Sequence, residues 1–221
     1  MSFINANFEG FKTVVKEMQT KIVTLKREQL RTRNACTDLY KQLSETRKEL
    51  IELKQNRRLS NIEIKGVPLP PTESLHEIIV NIGEKLSTKI ASQDIDAIHR
   101  VPTKHKTKSN IIVRFFAPTV RDDVLQAGKK QRLNAAALGF QTNEPIYINE
   151  HLCVENKTLL GKALQLKREQ NWKFTWTSRG GILMRKVENS KVIKNTCDDD
   201  LVQIVQCPPP PPLLLYNKLI L

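Results

Sequence analysis

Apolar residues recur along the first quarter of the chain in alternating steps of three and four. From Phe8 the register reads Phe8, Phe11, Val15, Met18, Ile22, Leu25, Gln29, Thr32, Cys36, Leu39, Leu43, Thr46, Leu50, Leu53, Arg57. Eleven of these fifteen positions are apolar, and residues 11–60 contain neither Pro nor Gly. A repeat of 3.5 residues keeps one seam turned toward a partner helix, so the pattern predicts a left-handed coiled coil over residues 1–60. Glu28 at a g position faces Arg33 at the next e, and Glu49 faces Lys54 in the same way, which fits parallel pairing. The a positions lack the β-branched pattern of dimers, so a homotrimer is favoured over a dimer with strand number left open.

After Ser60 the period shortens to two. Asn61, Glu63 and Lys65 alternate with Ile62 and Ile64 before Gly66 and a proline-rich stretch. Residues 73–87 return to helical spacing through Leu75, Ile78, Ile79, Ile82 and Leu86. Strands are predicted at 95–100, 110–116 and 145–149, with a helix at 119–132. The order β-α-β-β-α-β is that of a ferredoxin-like, RRM-like domain over residues 61–150. Residues 151–206 predict a smaller α+β unit: a helix at 155–170, a strand at 172–177, a turn at Arg179-Gly180-Gly181, a strand at 182–187 and a short last element at 201–205. Residues 207–221 form a proline-rich, apolar tail expected to be disordered. The fold class is therefore α+β, with a long N-terminal helix followed by two small mixed domains.

Charge sharpens this picture. The chain carries +13, and residues 100–132 and 157–191 each carry +7. Blocks of that size attract polyanions, nucleic acid first. In the first block the candidate contacts are Arg100, the connector lysines Lys104, Lys106 and Lys108, Arg114, and Lys129, Lys130 and Arg132. Lys129, Lys130 and Arg132 also sit where cations favour a helix dipole, so capping competes with binding there. In the second block the candidates are Arg179, Arg185 and Lys186. Trp172, Phe174 and Trp176 alternate along a strand; a stacking platform is one reading, but the core face of the hairpin is the preferred one.

Several short segments carry a resemblance. Asn61–Lys65 with Gly66-Val67-Pro68, Ile98-His99-Arg100-Val101-Pro102, Ile111-Ile112-Val113-Arg114-Phe115 and Ile146-Tyr147-Ile148-Asn149-Glu150-His151-Leu152 stand in the order found in the FP (few-polyhedra) protein family. That family occurs in baculoviruses and in insect retroelement-derived genes. With the coiled coil upstream, the layout is also similar to the first open-reading-frame protein of long interspersed (LINE) retroelements. What the resemblance implies is a trimeric coiled coil, an RRM-like domain and a C-terminal domain that together hold single-stranded nucleic acid, coating and chaperoning an element's own RNA.

Catalysis finds no motif. Phosphate-binding loop, nucleophile elbow and HExxH are all missing, so the chain is expected to be no enzyme and to use no cofactor or metal. The four cysteines form no CxxC pair and fit a reducing compartment, and no run of 18 apolar residues exists. The sequence thus reads as an intracellular, cytoplasmic or nuclear, homo-oligomeric protein whose partner is single-stranded nucleic acid, with RNA favoured. The alternative is a coiled-coil scaffold of the viral FP type acting through protein or membrane partners.

Overall fold

In a computed structural model of the protein, residues 2–69, 74–103, 109–198 and 200–201 are described, with side chains from residue 8 onward. The connector lysines Lys104, Lys106 and Lys108 and the tail 207–221 lie outside the described residues. The predicted heptads form one helix, α1 (Ser2–Asn56), which ends one residue before the last register position, Arg57. The chain divides into compact units at Met1–Leu50 and Ile51–Leu221. In the first unit the predicted seam is solvent-exposed: Phe8, Phe11, Met18, Ile22, Leu25, Leu39 and Leu43 all stand open, Val15 is half-buried, and Leu50 is 48% exposed. Leu53, on the last stretch of α1, is exposed as well.

In the second unit the alternating segments become β1 (Asn61–Lys65), β2 (Ile95–Pro102), β3 (Ser109–Phe115) and, later, β5 (Pro145–Glu150). They pair antiparallel in the order β2-β3-β1-β5, the split-βαβ arrangement that the element order predicts. Helices α2 (Leu75–Lys85) and α3 (Pro118–Lys130) cover one face. Ser74 caps α2 by accepting from the Glu77 N–H at 3.4 Å, and Pro118 opens α3 where its missing N–H costs nothing. Cross-strand partners explain the core. Ile62 opposes Val113, and Ile64 opposes Ile111 and Ile148, so these side chains share a face and pack with Ile79, Ile82, Val124 and Leu125. A two-residue strand β4 (Leu133–Asn134) adds an edge beside β5 that the sequence pattern did not predict.

A second core lies behind it in sequence. Helix α4 (Val154–Glu169) packs on the sheet β6-β7-β8, made of Phe174–Ser178, Gly181–Arg185 and Ile193–Asn195. Leu159, Ala163, Leu166, Trp172, Ile182, Met184 and Leu201 fill this core. A third strand, β8, adds to the predicted hairpin; of the short last element expected at 201–205, Leu201 closes the core and 202–205 lie outside the described residues. One expectation is corrected here. The aromatic stripe is not one core face. Trp172 is buried ahead of β6, but Phe174 opposes Arg185 and Trp176 opposes Leu183, while the buried Met184 and Ile182 oppose Thr175 and Thr177. Phe174 and Trp176 therefore lie on the face turned away from α4.

Candidate nucleic-acid interface

The C-terminal hairpin turns on two residues with positive φ, Arg179 at 49° and Gly180 at 75°. That is the two-residue hairpin geometry whose twist matches the flanking strands, and Gly180 meets it without strain. Both peptide N–H groups of the turn donate to one carboxylate: Arg179 to Oε1 of Glu150 at 3.0 Å and Gly180 to Oε2 at 2.8 Å. Glu150 ends β5 and is 5% exposed, with the buried Arg121 guanidinium at 3.9 Å. Charge-assisted bonds of this kind are stronger than neutral ones, so the turn is held firmly to the five-stranded sheet.

The same turn meets the last turn of α1. Gln55 is 6% exposed. Its Oε1 accepts from the Cys153 N–H at 2.9 Å and from Asn156 Nδ2 at 3.2 Å, and its Nε2 donates to the His151 carbonyl at 3.1 Å. Asn156 Nδ2 also donates to the Gly180 carbonyl at 3.0 Å. A Cβ on Gly180 would lie 2.3 Å from Gln55 Cγ, so the glycine lets the amide sit against the turn.

Beside this knot lies a cleft of about 440 Å³ lined by Lys54, Arg57, Arg58, Asn61, His151 and Glu155, among others. Lys54 bonds Glu155 at 2.5 Å, and that hydrogen bond pulls the Glu155 carboxyl down to about 2. His151 is pushed down to about 4, first by burial and then by the Lys157 charge, so it is neutral at pH 7. On the sheet face opposite α2 and α3, Glu63 accepts from Asn110 Nδ2 at 2.8 Å and from Lys157 at 3.0 Å. Burial raises the Glu63 carboxyl, but Lys157, Lys65 and Asn110 together hold it below the usual range. Its cross-strand neighbour Ile112 is also buried, so the centre of this face is not an open stacking surface.

The predicted cations fall in different places. Arg100 donates to the Val67 carbonyl at 3.2 Å, the Pro68 carbonyl at 2.8 Å and Ser109 Oγ at 3.1 Å, so its guanidinium anchors the loop after β1. Arg114 is half-exposed but ion-paired with Asp96. Lys129 and Lys130 occupy the last turn of α3, and Arg132 follows; all three are exposed, with no ion-pair partner among the described residues. Arg179 projects from the docked turn, exposed, and Lys186 follows β7 half-buried. Arg185 stacks over the Phe174 ring with 4.6 Å to its centroid. The reading from sequence missed Gln55, Glu150 and Asn156 altogether. Asp198 and Asp200 are occupied locally, by Lys162 at 2.5 Å and by the Thr196 and Cys197 N–H groups.

Residues 153–205 match the family model described as Baculovirus FP protein domain 2. No curated protein matches the chain. Among solved structures, the C-terminal domain of the S. pombe telomerase accessory protein Pof8 aligns at 14% identity, covering 49% of this chain and 96% of that one, with a TM-score of 0.32. A likeness that low carries no argument here. The LINE resemblance rests on sequence layout alone.

Two predictions follow from the knot and the cleft. Gln55→Ala leaves the Cys153 N–H and the Asn156 amide short of an acceptor and should lower unfolding free energy by about 1–3 kcal/mol in urea titrations. The pH dependence has a definite sign. With the folded His151 near 4 and the unfolded value near 6.5, the unfolded state binds the extra proton between those limits. Stability should therefore fall as pH drops from 6.5 toward 4, and His151→Gln should remove that component while leaving the carboxylate-driven loss at lower pH. Over residues 153–205, the α4–β8 unit, the chain is similar to domain 2 of the baculovirus FP proteins.

Proposed function

We propose that this chain is a non-enzymatic, oligomeric protein that binds single-stranded nucleic acid, RNA by preference, as a component of a ribonucleoprotein of retroelement type. The observation that carries the reading is the set of cations without ion-pair partners among the described residues. Lys129, Lys130 and Arg132 stand at the end of α3, and Lys167, Arg168, Arg179 and Lys194 stand on the C-terminal unit. Folded proteins commonly balance surface charge with mixed signs; cations left unpaired in a chain of +13 supply the phosphate contacts that dominate nucleic-acid affinity. By sequence alone the connector adds Lys104, Lys106 and Lys108 to the basic block.

The exposed seam of α1 supports oligomerisation. A helix of 55 residues is about 80 Å long, and leaving its row of Phe, Ile and Leu in water is unfavourable. Burial of that row between parallel copies, three in the favoured arrangement, removes it from solvent and multiplies weak contacts through effective concentration. No described helix is long and apolar enough to cross a membrane. Free thiols at Cys36, Cys153 and Cys197 fit a cytoplasmic or nuclear setting.

Anisotropy of a labelled 20-mer RNA across a salt series tests the proposal on the full chain. The expected slope of log K against log salt is about −3 or steeper, since four neutralised phosphates contribute about −0.7 each. Replacing Lys129, Lys130 and Arg132 by Gln should flatten it by about 2. Ile22→Glu with Leu43→Glu should yield a monomer by light scattering and weaken binding at least about tenfold. Robust oligomers with no RNA binding at low salt would replace this reading with that of a scaffold of the viral FP type.

A further inference from the structure

The sheet β6-β7-β8 has two faces of different character. The inner one supplies Ile182, Met184 and Ile193 to the core under α4. The outer one carries Phe174 and Trp176 from β6, Leu183 and Arg185 from β7, and Lys194 from β8, placed side by side by the pairs Phe174–Arg185, Trp176–Leu183 and Leu183–Lys194. None of the three apolar residues belongs to either hydrophobic core, and all three are only half-buried. The three strands contain no Asp or Glu. Lys173 stands 5.4 Å from the Phe174 ring on one side, and Arg185 stacks on it at 4.6 Å.

We propose that this outer face is a stacking platform for the bases of single-stranded nucleic acid, with the half-buried Trp176 presenting the ring and Arg185 and Lys194 as the phosphate or cation–π contacts. The inference deepens the function proposed above and rests on it. Its physical ground is the combination on one surface of an aromatic ring, an aromatic–guanidinium stack and an ammonium, with no carboxylate from the strands and the neighbouring Glu188 already paired with Lys173 at 2.5 Å. A protein partner's cations would meet no unpaired acid on the strands, Glu188 at the margin being held by Lys173. A base offers a π-face to Trp176 and its backbone offers anions to Arg185 and Lys194. A duplex keeps its bases stacked internally and cannot use the rings, so the ligand is single-stranded. The hairpin turn is anchored through Glu150 and Gln55, so the platform is fixed in orientation before the strand arrives.

The chain has two tryptophans, and Trp172 is buried, which makes fluorescence a direct reporter of Trp176. Full-length wild type and Trp176→Phe would be titrated with an oligouridine 20-mer, the same backbone carrying abasic sites, and a matched duplex. Wild type should show saturable quenching by the oligouridine and little by the other two, and Trp176→Phe should bind with no quenching. Trp176→Ala should lose about tenfold to a hundredfold in affinity, within the range for one stacked base. Lys194→Glu, which leaves the core untouched, should weaken binding severalfold at low salt. Equal quenching in Trp176→Phe, or unchanged affinity in a folded Trp176→Ala, would overturn the platform while leaving nucleic-acid binding in place. Absence of binding to every oligonucleotide would overturn both, and quenching by phosphatidylserine vesicles in preference to oligouridine would assign the face to a lipid surface instead.

Discussion

The joining of the C-terminal hairpin to the RRM-like domain rests on one buried carboxamide and one buried carboxylate closing on the same two-residue turn. Gln55 and Glu150 reach it from opposite ends of the RRM-like domain: one from the helix that precedes β1, the other from the end of β5. Between them they satisfy the Cys153, Arg179 and Gly180 N–H groups, and Asn156 bridges the amide to the Gly180 carbonyl. All of these residues except Arg179 are buried, and breaking one partner strands another away from water. The cost of a single loss is therefore larger than the worth of a single bond.

That closure determines what remains outside. With the hairpin turn held against β5 and the Lys157 side chain at the start of α4 reaching Glu63, the centre of the five-stranded sheet is buried rather than open. The surface on which RRM-type domains usually stack bases is thus unavailable at Ile112 and Glu63. The aromatic and basic groups lie elsewhere, on the far side of the small sheet and at the end of α3. The groups proposed to bind therefore stand outside the sheet face, whose centre at Glu63 and Ile112 is buried.

Much of the fold was legible because it rests on periodicity. The heptads of α1 and the alternation in β1, β3 and β5 mark both the elements and the residues that share a face. Period two cannot say which face is covered, however, and that is why Phe174 and Trp176 were read as core: the buried side of β6 presents Thr175 and Thr177. Gln55 was invisible for a related reason. It occupies the f position of the heptad, the most solvent-facing one, and only the chain's return at His151–Asn156 buries it. Among the candidate cations, sequence gave charge but not partners. Arg100 and Arg114 looked as free as Lys129 and Arg132 until the Val67 and Pro68 carbonyls and Asp96 were found beside them.

The central claim is that this closure makes the RRM-like and C-terminal domains one cooperative body. Native-state hydrogen exchange tests it most directly. The account predicts that the Cys153, Arg179 and Gly180 amides exchange through the same global opening as the Ile62 and Val113 amides of the central strands. Exchange at the turn about a hundredfold or more faster, with the central strands still protected, would show the C-terminal domain opening by itself and would contradict the account.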